Sequence, residues 1–120
     1  MLRTIKNIPI RAVKATIYSL AGLKSAFTKE EAFKLETLAF AALFLIMLAV
    51  PWPFWKKAAL LAIYLIIPLC ELFNSAIEDI CDLITRDFHE NIKSAKDKGS
   101  AAVLTAIVIN LLALCALIAI

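Results

Sequence analysis

The sequence predicts an all-α membrane protein, and three observations support this fold class. Of its 120 residues, 62% are hydrophobic, whereas a soluble domain is roughly half apolar. Mean hydropathy is +0.86, and the apolar residues form long runs with few charges. With two glycines and four prolines the chain has no low-complexity linker, so we expect one membrane domain over residues 1–120. Its expected segments are a surface helix (1–28), three transmembrane helices (32–55, 57–85 and 99–120) and a cytoplasmic loop (86–98).

The first 28 residues alternate basic and apolar side chains, a pattern typical of an amphipathic helix lying in the membrane interface. Pro9 suits the first turn of such a helix, where its missing N–H needs no partner. A signal peptide is not indicated, because the charges continue through the region that would have to be apolar. An ordinary solvated amphipathic helix is the alternative. The basic residues are Arg3, Lys6, Arg11, Lys14 and Lys24.

The first transmembrane helix is predicted around residues 37–50, which carry no charge. It should end at the segment 51–55 (Pro-Trp-Pro-Phe-Trp), because prolines break helices and tryptophans favour the water interface. The second helix follows at once, and Pro68 should bend it. Residues 101–120 carry no charge and a single amide, Asn110. Their length is close to what the hydrocarbon core requires of a third transmembrane helix.

The lysine and arginine counts predict the orientation of these helices. Residues 1–36 hold seven and residues 86–98 hold four, whereas the turn between the first two helices holds two. Positive side chains tend to stay on the cytoplasmic side. We therefore expect a cytoplasmic N-terminus, a cytoplasmic loop and an external C-terminus.

A polar stripe follows the apolar half of the second transmembrane helix. At 3.6 residues per turn its members fall within an arc of roughly 100°, and apolar side chains cover most of the opposite side. An acidic group at bilayer depth costs about 2.5 to 3.5 kcal/mol even on the lenient insertion scale, which makes such residues functional candidates. The stripe consists of Glu71, Asn74, Ser75, Glu78 and Asp82.

Three polar groups are expected to meet at the cytoplasmic boundary. Carboxylates from two helices can hold Mg²⁺, which needs only one or two of them when phosphates and waters supply the other ligands. A nearby lysine binds phosphate, and a partly desolvated carboxylate can take a proton from an alcohol. Together these parts favour phosphoryl transfer, although each alone is typical of solvated boundary charges. The groups are the acids Glu30, Glu31 and Glu36, the stripe, and the segment containing Asp87, Phe88, His89, Glu90, Lys96, Asp97 and Ser100.

Other functions are disfavoured by the composition. Glycine occurs only at positions 22 and 99, so neither of the glycine-rich phosphate loops of soluble kinases can form. The three cysteines lack metal-binding spacing, and His89 has no Cys or His partner at ligand spacing. The net charge of +3 is too small to indicate binding of nucleic acid.

Three strings of residues follow one another in a recognisable order: Glu71-Leu-Phe-Asn74-Ser75-Ala-Ile-Glu78, then Ala95-Lys96-Asp97, then Gly99-Ser100-Ala-Ala-Val. This order resembles the small prokaryotic diacylglycerol kinase family of integral membrane enzymes. The resemblance continues upstream through residues 30–36 and 21–24. It implies a surface helix, three transmembrane helices and a homotrimeric bundle in the bacterial inner membrane, with sites shared between subunits at the cytoplasmic face. It also implies ATP as co-substrate, Mg²⁺ as cofactor and a membrane lipid as substrate.

The resemblance implies roles for single residues as well. Glu71 is expected to be the general base for the lipid hydroxyl, and Glu30 and Glu78 are expected to bind the metal. Phe88, where relatives often have tyrosine, and Glu31, where a small residue is commoner, depart from the pattern. The ATP-binding residues that it implies are Arg11, Tyr18, Glu30, Asn74, Glu78, Asp87, Phe88, His89, Lys96 and Asp97. The residues implied at the lipid are Glu71, Ser100, Lys24 and Glu36.

The identity of the lipid is left open by the residues. Relatives in other bacteria phosphorylate undecaprenol, but the residues after Asp97 (Lys-Gly-Ser-Ala-Ala-Val) resemble the diacylglycerol branch. A small multidrug-type proton antiporter is an alternative from another class, although it would need four membrane spans. A non-catalytic membrane subunit would leave the polar stripe unexplained. We therefore expect ATP-dependent phosphorylation of diacylglycerol to phosphatidic acid, with undecaprenol phosphorylation as the alternative.

Overall fold

The computed structural model describes residues 8–120, and every regular element in that range is an α-helix. Three helical stretches are long and apolar enough to cross a membrane. The prediction of an all-α, multi-pass membrane protein is therefore confirmed. The helices are α1 (Ile8–Lys29), α2 (Glu31–Ala49), α3 (Phe54–Tyr64), α4 (Ile66–Ile84) and α5 (Glu90–Ala119).

The helix α1 coincides with most of the predicted surface helix, and Pro9 lies in its first turn. The part of that prediction on residues 1–7 lies outside the described residues. Ile10, Val13 and Ile17 are all exposed. Such exposure suits a helix whose apolar side faces a lipid interface instead of a protein core. Nearer the end of α1, Ala26 is buried, and the helix packs against α2.

The turn between α2 and α3 is where the two prolines predicted it. The helix α2 ends at Ala49, residues 50–53 are not helical, and α3 begins at Phe54. The first transmembrane helix is therefore shorter than the predicted range of 32–55. Val50 is extended (φ −69°, ψ 131°), as expected for a residue that precedes a proline.

A small apolar core lies beside this turn. Met47, Leu60 and Leu117 bury one another there. Lys56 reaches across to α5, where its Nζ donates to the Leu117 carbonyl oxygen at 3.0 Å. The same ammonium group lies over the rings of Trp52 and Trp55, at 5.6 and 5.7 Å from their centroids. A cation is well placed at this position, since the last carbonyls of a helix carry partial negative charge.

The second transmembrane stretch, Phe54–Ile84, is interrupted at Leu65. Pro68 lies three residues further on. Because proline has no backbone N–H, it cannot donate to the carbonyl of Tyr64, four residues earlier. The helix loses a hydrogen bond at this point and divides into α3 and α4. The prediction that Pro68 distorts this helix just before the polar stripe is confirmed.

The prediction of a loop over residues 86–98 is wrong for most of that range, because α5 already begins at Glu90. Only residues 85–89 connect α4 to α5. His89 caps the helix, since its Nδ1 accepts the Asn91 N–H at 3.3 Å. One turn later Lys93 pairs with Asp97 at 2.5 Å across an i, i+4 spacing, which stabilises helices. The high charge of this segment therefore marks a helix that has left the membrane, not a loop.

The helices α4 and α5 lie side by side along most of α4, while α2 packs against α3 and α4. In the single chain, little of the membrane-crossing surface is covered. The buried fraction in the most apolar window of the three stretches is 11%, 22% and 11%. Most of these side chains are therefore available to lipid or to other copies of the chain.

Candidate functional site

Gly99 allows α4 and α5 to approach each other at the polar stripe. It is buried, and a Cβ at this position would overlap Asn74 Oδ1 and lie 3.5 Å from Asn74 Cα. An alanine here would therefore displace the Asn74 side-chain amide, whereas its contact with the Asn74 backbone would be an ordinary one. The sequence pattern included Gly99 but gave it no role, and its contact with Asn74 is what the structure adds.

Glu71 and Asn74 are the buried polar residues of the described chain, with 8% and 7% of their surface exposed. Asn74 Nδ2 donates to Glu78 Oε1 at 3.1 Å, so the predicted stripe does place these residues on one face of α4. Asn74 Oδ1 is buried and has no hydrogen-bond partner. Buried polar atoms are nearly always paired, and this one instead lies against Gly99 in the contact between α4 and α5.

Four carboxylates gather around the buried part of α4. Glu71 lies within electrostatic range of Glu78 and Glu30, and Glu36 lies within range of Glu71. Glu36 Oε2 is buried without a partner. Like charges near one another repel, so binding of a cation or a proton would stabilise the arrangement.

Glu30 reaches this group from the junction between α1 and α2. It is the single non-helical residue there, with extended dihedral angles (φ −99°, ψ 114°). Its N–H donates to the Ala26 carbonyl and its own carbonyl accepts from the Lys34 N–H. The backbone of Glu30 is therefore hydrogen-bonded to both helices, and these bonds fix the position from which its side chain projects.

The described part of the chain has no group of three or more His, Cys, Asp or Glu side chains arranged to hold a metal ion. A preformed structural metal site is therefore not present there. One carboxylate at the junction of α1 and α2, Glu30, and one on α4, Glu78, suit a different kind of ion. Mg²⁺ that arrives on a nucleotide needs one or two protein carboxylates, with phosphates and waters completing its shell.

A cavity of about 470 Å³ lies between α1 and α4, and Glu30 is at one edge of it. Small side chains on α1 make room for it, and a Cβ at Gly22 would meet no atom within 4 Å. Its walls carry hydroxyls and carboxylates beside aliphatic carbons, so it suits an amphipathic ligand. The lining residues are Ser19, Gly22, Leu23, Ser25, Ala26, Glu30, Leu72, Ser75, Ala76 and Asp79.

A second, apolar groove of about 260 Å³ adjoins this cavity, since Leu23 and Leu72 line both. It runs along the helix break toward the membrane interior, and Glu36 is its only ionisable residue. Such a groove suits a hydrocarbon chain. Its other lining residues are Phe33, Thr37, Phe40, Leu65, Pro68 and Leu69.

A third pocket, of about 240 Å³, lies at the far end of α4 where the chain turns into α5. It brings together five of the predicted ATP-binding residues: Asp87, Phe88, His89, Lys96 and Asp97. Lys96 Nζ pairs with Asp82 Oδ1 at 2.5 Å, and Phe88 is 83% exposed. The pocket contains two lysines, an arginine and an exposed ring beside three aspartates, and the cations and the ring are the groups that could bind a nucleotide. Its further lining residues are Asp82, Thr85, Arg86, Ile92 and Lys93.

These features follow one another along α4. From Glu71, Asn74 is about 4.5 Å further along the axis, Glu78 about 10 Å and Asp82 about 16 Å, at 1.5 Å per residue. The apolar groove lies before Glu71 and the charged pocket lies after Glu78. One helix therefore joins a region suited to lipid with a region suited to nucleotide.

Seven predicted site residues line none of these three pockets in the single chain. Three of them, Glu71, Asn74 and Glu78, lie on α4 between the pockets, and the other four lie apart from them. Arg11, Tyr18 and Lys24 are exposed on α1, and Ser100 is exposed on α5 beside Gly99. None of them lines the three cavities described above. Their predicted roles therefore need a neighbouring subunit or a bound ligand.

Sequence reasoning missed two features that the structure brings to this site. Asp82 was recognised as part of the stripe, but its partnership with Lys96 was not predicted. The wall that α1 contributes to the 470 Å³ cavity was also missed. Its signal was present, because Ser19, Gly22 and Ser25 recur every three residues and place small side chains on one side of the helix.

Comparison with known proteins agrees with this arrangement. The family model described as "Prokaryotic diacylglycerol kinase" matches residues 17–118. A curated diacylglycerol kinase of Escherichia coli (strain K12) is 36% identical over 114 residues, covering 90% of this chain and 88% of that protein. The diacylglycerol kinase of Haemophilus influenzae is 39% identical over 103 residues (81% and 82%), and that of Pseudomonas aeruginosa is 36% identical over 99 residues (82% and 80%).

The chain belongs to the prokaryotic diacylglycerol kinase family. It is thus a membrane enzyme of the lipid kinase type, which acts on a membrane lipid with a nucleotide. The antiporter and the non-catalytic subunit are not supported. The described residues contain three membrane-crossing stretches, whereas the antiporter would require four.

Proposed function

We propose that this lipid kinase transfers the γ-phosphate of ATP to the free hydroxyl of diacylglycerol at the cytoplasmic face of the bacterial inner membrane. The observation that carries the proposal is the position of Glu71. It is a buried carboxylate on α4, which contributes residues to an apolar groove before Glu71 and one residue to a charged pocket beyond Glu78. A lipid alcohol and a water-soluble nucleotide could meet only at such a boundary.

Glu71 is proposed to act as the general base. The lipid hydroxyl loses its proton to the Glu71 carboxylate as its oxygen bonds to the γ-phosphorus, and the bond from that phosphorus to the β–γ bridging oxygen breaks. ADP leaves with that oxygen, and phosphatidic acid is the product. The base must lie within hydrogen-bond reach of the hydroxyl. The proposal therefore requires the lipid hydroxyl to lie beside Glu71, between the lipid groove and the Glu78 carboxylate.

Mg²⁺ is the proposed cofactor, held by Glu30 and Glu78 together with the phosphates. When bound, such an ion neutralises charge on the phosphoryl group being transferred. Asn74 supports the arrangement, because its amide hydrogen bond at 3.1 Å restrains the Glu78 carboxylate.

The nucleotide is proposed to lie along the far half of α4. Lys96 binds its phosphates as a point charge after leaving Asp82, and Asp87, Phe88, His89 and Asp97 surround the rest. Phe88 has no hydroxyl, so it contributes stacking only. Arg11 and Tyr18 are proposed to complete the pocket from α1.

A homotrimer is proposed because the single chain covers so little of its own membrane-crossing surface. Glu71 and Asn74 are buried in the single chain, but the apolar surface around them still needs cover. A neighbouring subunit would supply it and would also bring exposed residues such as Tyr18, Lys24 and Ser100 toward a shared site. The cytoplasmic location of the site and the N-terminus rests on the lysine and arginine distribution.

The test is phosphate transfer from ATP labelled in its γ-phosphate, with diacylglycerol and undecaprenol presented side by side in mixed micelles. The proposal predicts labelled phosphatidic acid, which depends on added Mg²⁺ and disappears when the ion is chelated. Transfer to undecaprenol alone would keep the chemistry but contradict the proposed substrate. No transfer to either lipid would overturn the proposed function.

A further inference from the structure

The break between α3 and α4 leaves backbone carbonyls without their ordinary helical partners. Pro68 cannot donate to the carbonyl of Tyr64, and Leu65 departs from the ladder because its N–H points to the Ile63 carbonyl. In a bilayer no water is available to satisfy such groups, so other parts of the protein must do so.

Asn110, the single amide in the uncharged part of α5, reaches this break. Its Nδ2 donates to the Ile63 carbonyl at 3.2 Å and to the Ala106 carbonyl of its own helix at 2.9 Å. The first bond joins residues 47 positions apart and ties the end of α3 to α5. Asn110 therefore donates to the carbonyl directly before that of Tyr64, which Pro68 leaves without its helical N–H donor.

The opposite side of the break is tied to α2. The Tyr64 hydroxyl donates to the backbone carbonyl of Glu36 at 2.9 Å, and its ring packs against Phe40 with centroids 5.6 Å apart. The break is thus held from both neighbouring helices. Two side-chain hydrogen bonds, one to α2 and one to α5, therefore restrain the geometry of the kink.

Glu71 lies six residues beyond Leu65, which is about 9 Å along the helix axis. The direction in which α4 leaves the break therefore sets the position of the Glu71 carboxylate. We propose that Asn110 is a positioning residue: by bonding to the carbonyl of Ile63 at the break caused by Pro68, it fixes the direction of α4 and so aims Glu71 at the lipid hydroxyl. This inference rests on the proposed function of Glu71.

The competing explanation is that Asn110 simply joins two membrane helices, as amides in membrane helices often do. The two explanations differ in their dependence on Pro68. If Asn110 is needed because the helix is interrupted, Pro68→Ala should make Asn110 dispensable. The N–H regained at position 68 can pair with the Tyr64 carbonyl, so the helix can continue without support. If Asn110 is a simple link between helices, its value should not depend on Pro68.

The experiment is a double-mutant cycle in the full-length protein. Asn110→Leu keeps the size of the side chain, removes its donor and favours membrane insertion. It is made in the natural background and in Pro68→Ala, where the helix regains an N–H donor. Thr105→Val is the matched control, because the Thr105 hydroxyl also lies on α5 but bonds only to Ala101 of its own helix.

In the natural background we expect Asn110→Leu to lower kcat about tenfold, as loss of about one membrane hydrogen bond would. KM for ATP should stay unchanged, since the nucleotide pocket lies at the other end of α4. In the Pro68→Ala background the same change should lower kcat less than about threefold. Thr105→Val should leave kcat within about twofold of the natural protein.

An equal loss of kcat in both backgrounds, or no loss in either, would overturn the role of Asn110. Should Asn110→Leu prevent assembly, Asn110→Ser serves instead, since it is shorter but keeps a donor. Its loss of activity must also be smaller in Pro68→Ala than in the natural background. A natural protein without kinase activity would refute the proposed function, whereas an active natural protein with uncoupled variants would refute only the positioning role.

Discussion

The two ends of the helical bundle handle their polar groups differently. At the end beside the α2–α3 turn, Lys56 bonds to the Leu117 carbonyl and lies over two tryptophan rings, next to a small apolar core. At the other end, Asn74 Oδ1 and Glu36 Oε2 are buried without partners. At the first end the ammonium group has its partners within one chain, and we call this the complete end. At the second, two polar atoms have no partner within the chain, and we call this the incomplete end. Substrate, metal or a neighbouring subunit should bind there.

Changes at the incomplete end should therefore affect turnover, and changes at the complete end should affect only stability. The largest effect is expected for Glu71→Gln, which keeps the shape of the side chain but removes the base. Turnover should fall by about 10²- to 10⁴-fold, the usual contribution of a general base. Phosphate transfer to diacylglycerol at saturating ATP measures this.

Glu31→Gln is the matched control for that substitution. Its carboxylate is 87% exposed and pairs with Lys34 on the same helix. Turnover in this control should stay near that of the natural protein. A comparable loss in both variants would mean that removing any carboxylate from this region has the same effect, and would contradict the role of Glu71.

The next largest effect is expected at the contact between α4 and α5. Gly99→Ala introduces a Cβ that overlaps the Asn74 side chain, and such overpacking costs about 1 to 3 kcal/mol. Both the free energy of unfolding in micelles and the turnover should fall. Gly22→Ala has open space around the new methyl group and should be neutral or stabilising by about 0.5 to 1 kcal/mol. Equal stability of the two variants would argue against a close approach at Gly99.

A smaller effect, confined to the nucleotide, is expected for Lys96→Met. KM for ATP should rise about tenfold, since a hydrogen bond between charged partners is lost. Stability should change by less than about 1 kcal/mol, because the ion pair with Asp82 is partly exposed. Steady-state kinetics with varied ATP measures the KM, and thermal unfolding measures the stability. An unchanged KM would remove Lys96 from the nucleotide site.

The smallest effect on activity is expected at the complete end of the bundle. Lys56→Met removes the hydrogen bond to Leu117 and the two cation–π contacts, so the free energy of unfolding should fall by about 1 kcal/mol. KM for ATP and for lipid should not move. Kinetic constants that change as much as those of the Lys96 variant would show that the two ends are not independent.

The membrane-crossing helices could be predicted because hydropathy and length decide them locally. The same is true of the break at Leu65, since Pro68 removes a hydrogen bond whatever surrounds it. The stripe of Glu71, Asn74 and Glu78 also follows from the helical period alone. These features depend on residues a few positions apart.

Features that depend on packing between distant residues could not be predicted. The Gly99–Asn74 contact requires the distance between two helices, and the bond from Lys56 to Leu117 joins residues 61 positions apart. The start of α5 was misplaced for another reason. Its charges are typical of a loop, but the His89 cap and the Lys93–Asp97 pair stabilise a helix there.

The two carboxylates of α4 have different proposed roles: Glu71 acts on the lipid, and Glu78 acts on the nucleotide and its metal. The most direct test is equilibrium binding of ATP with Mg²⁺ to the natural protein, Glu71→Gln and Glu78→Gln, in micelles without lipid substrate. We expect Glu71→Gln to bind as tightly as the natural protein and Glu78→Gln to bind about tenfold more weakly or worse. Weakened binding in Glu71→Gln, or unchanged binding in Glu78→Gln, would contradict this division.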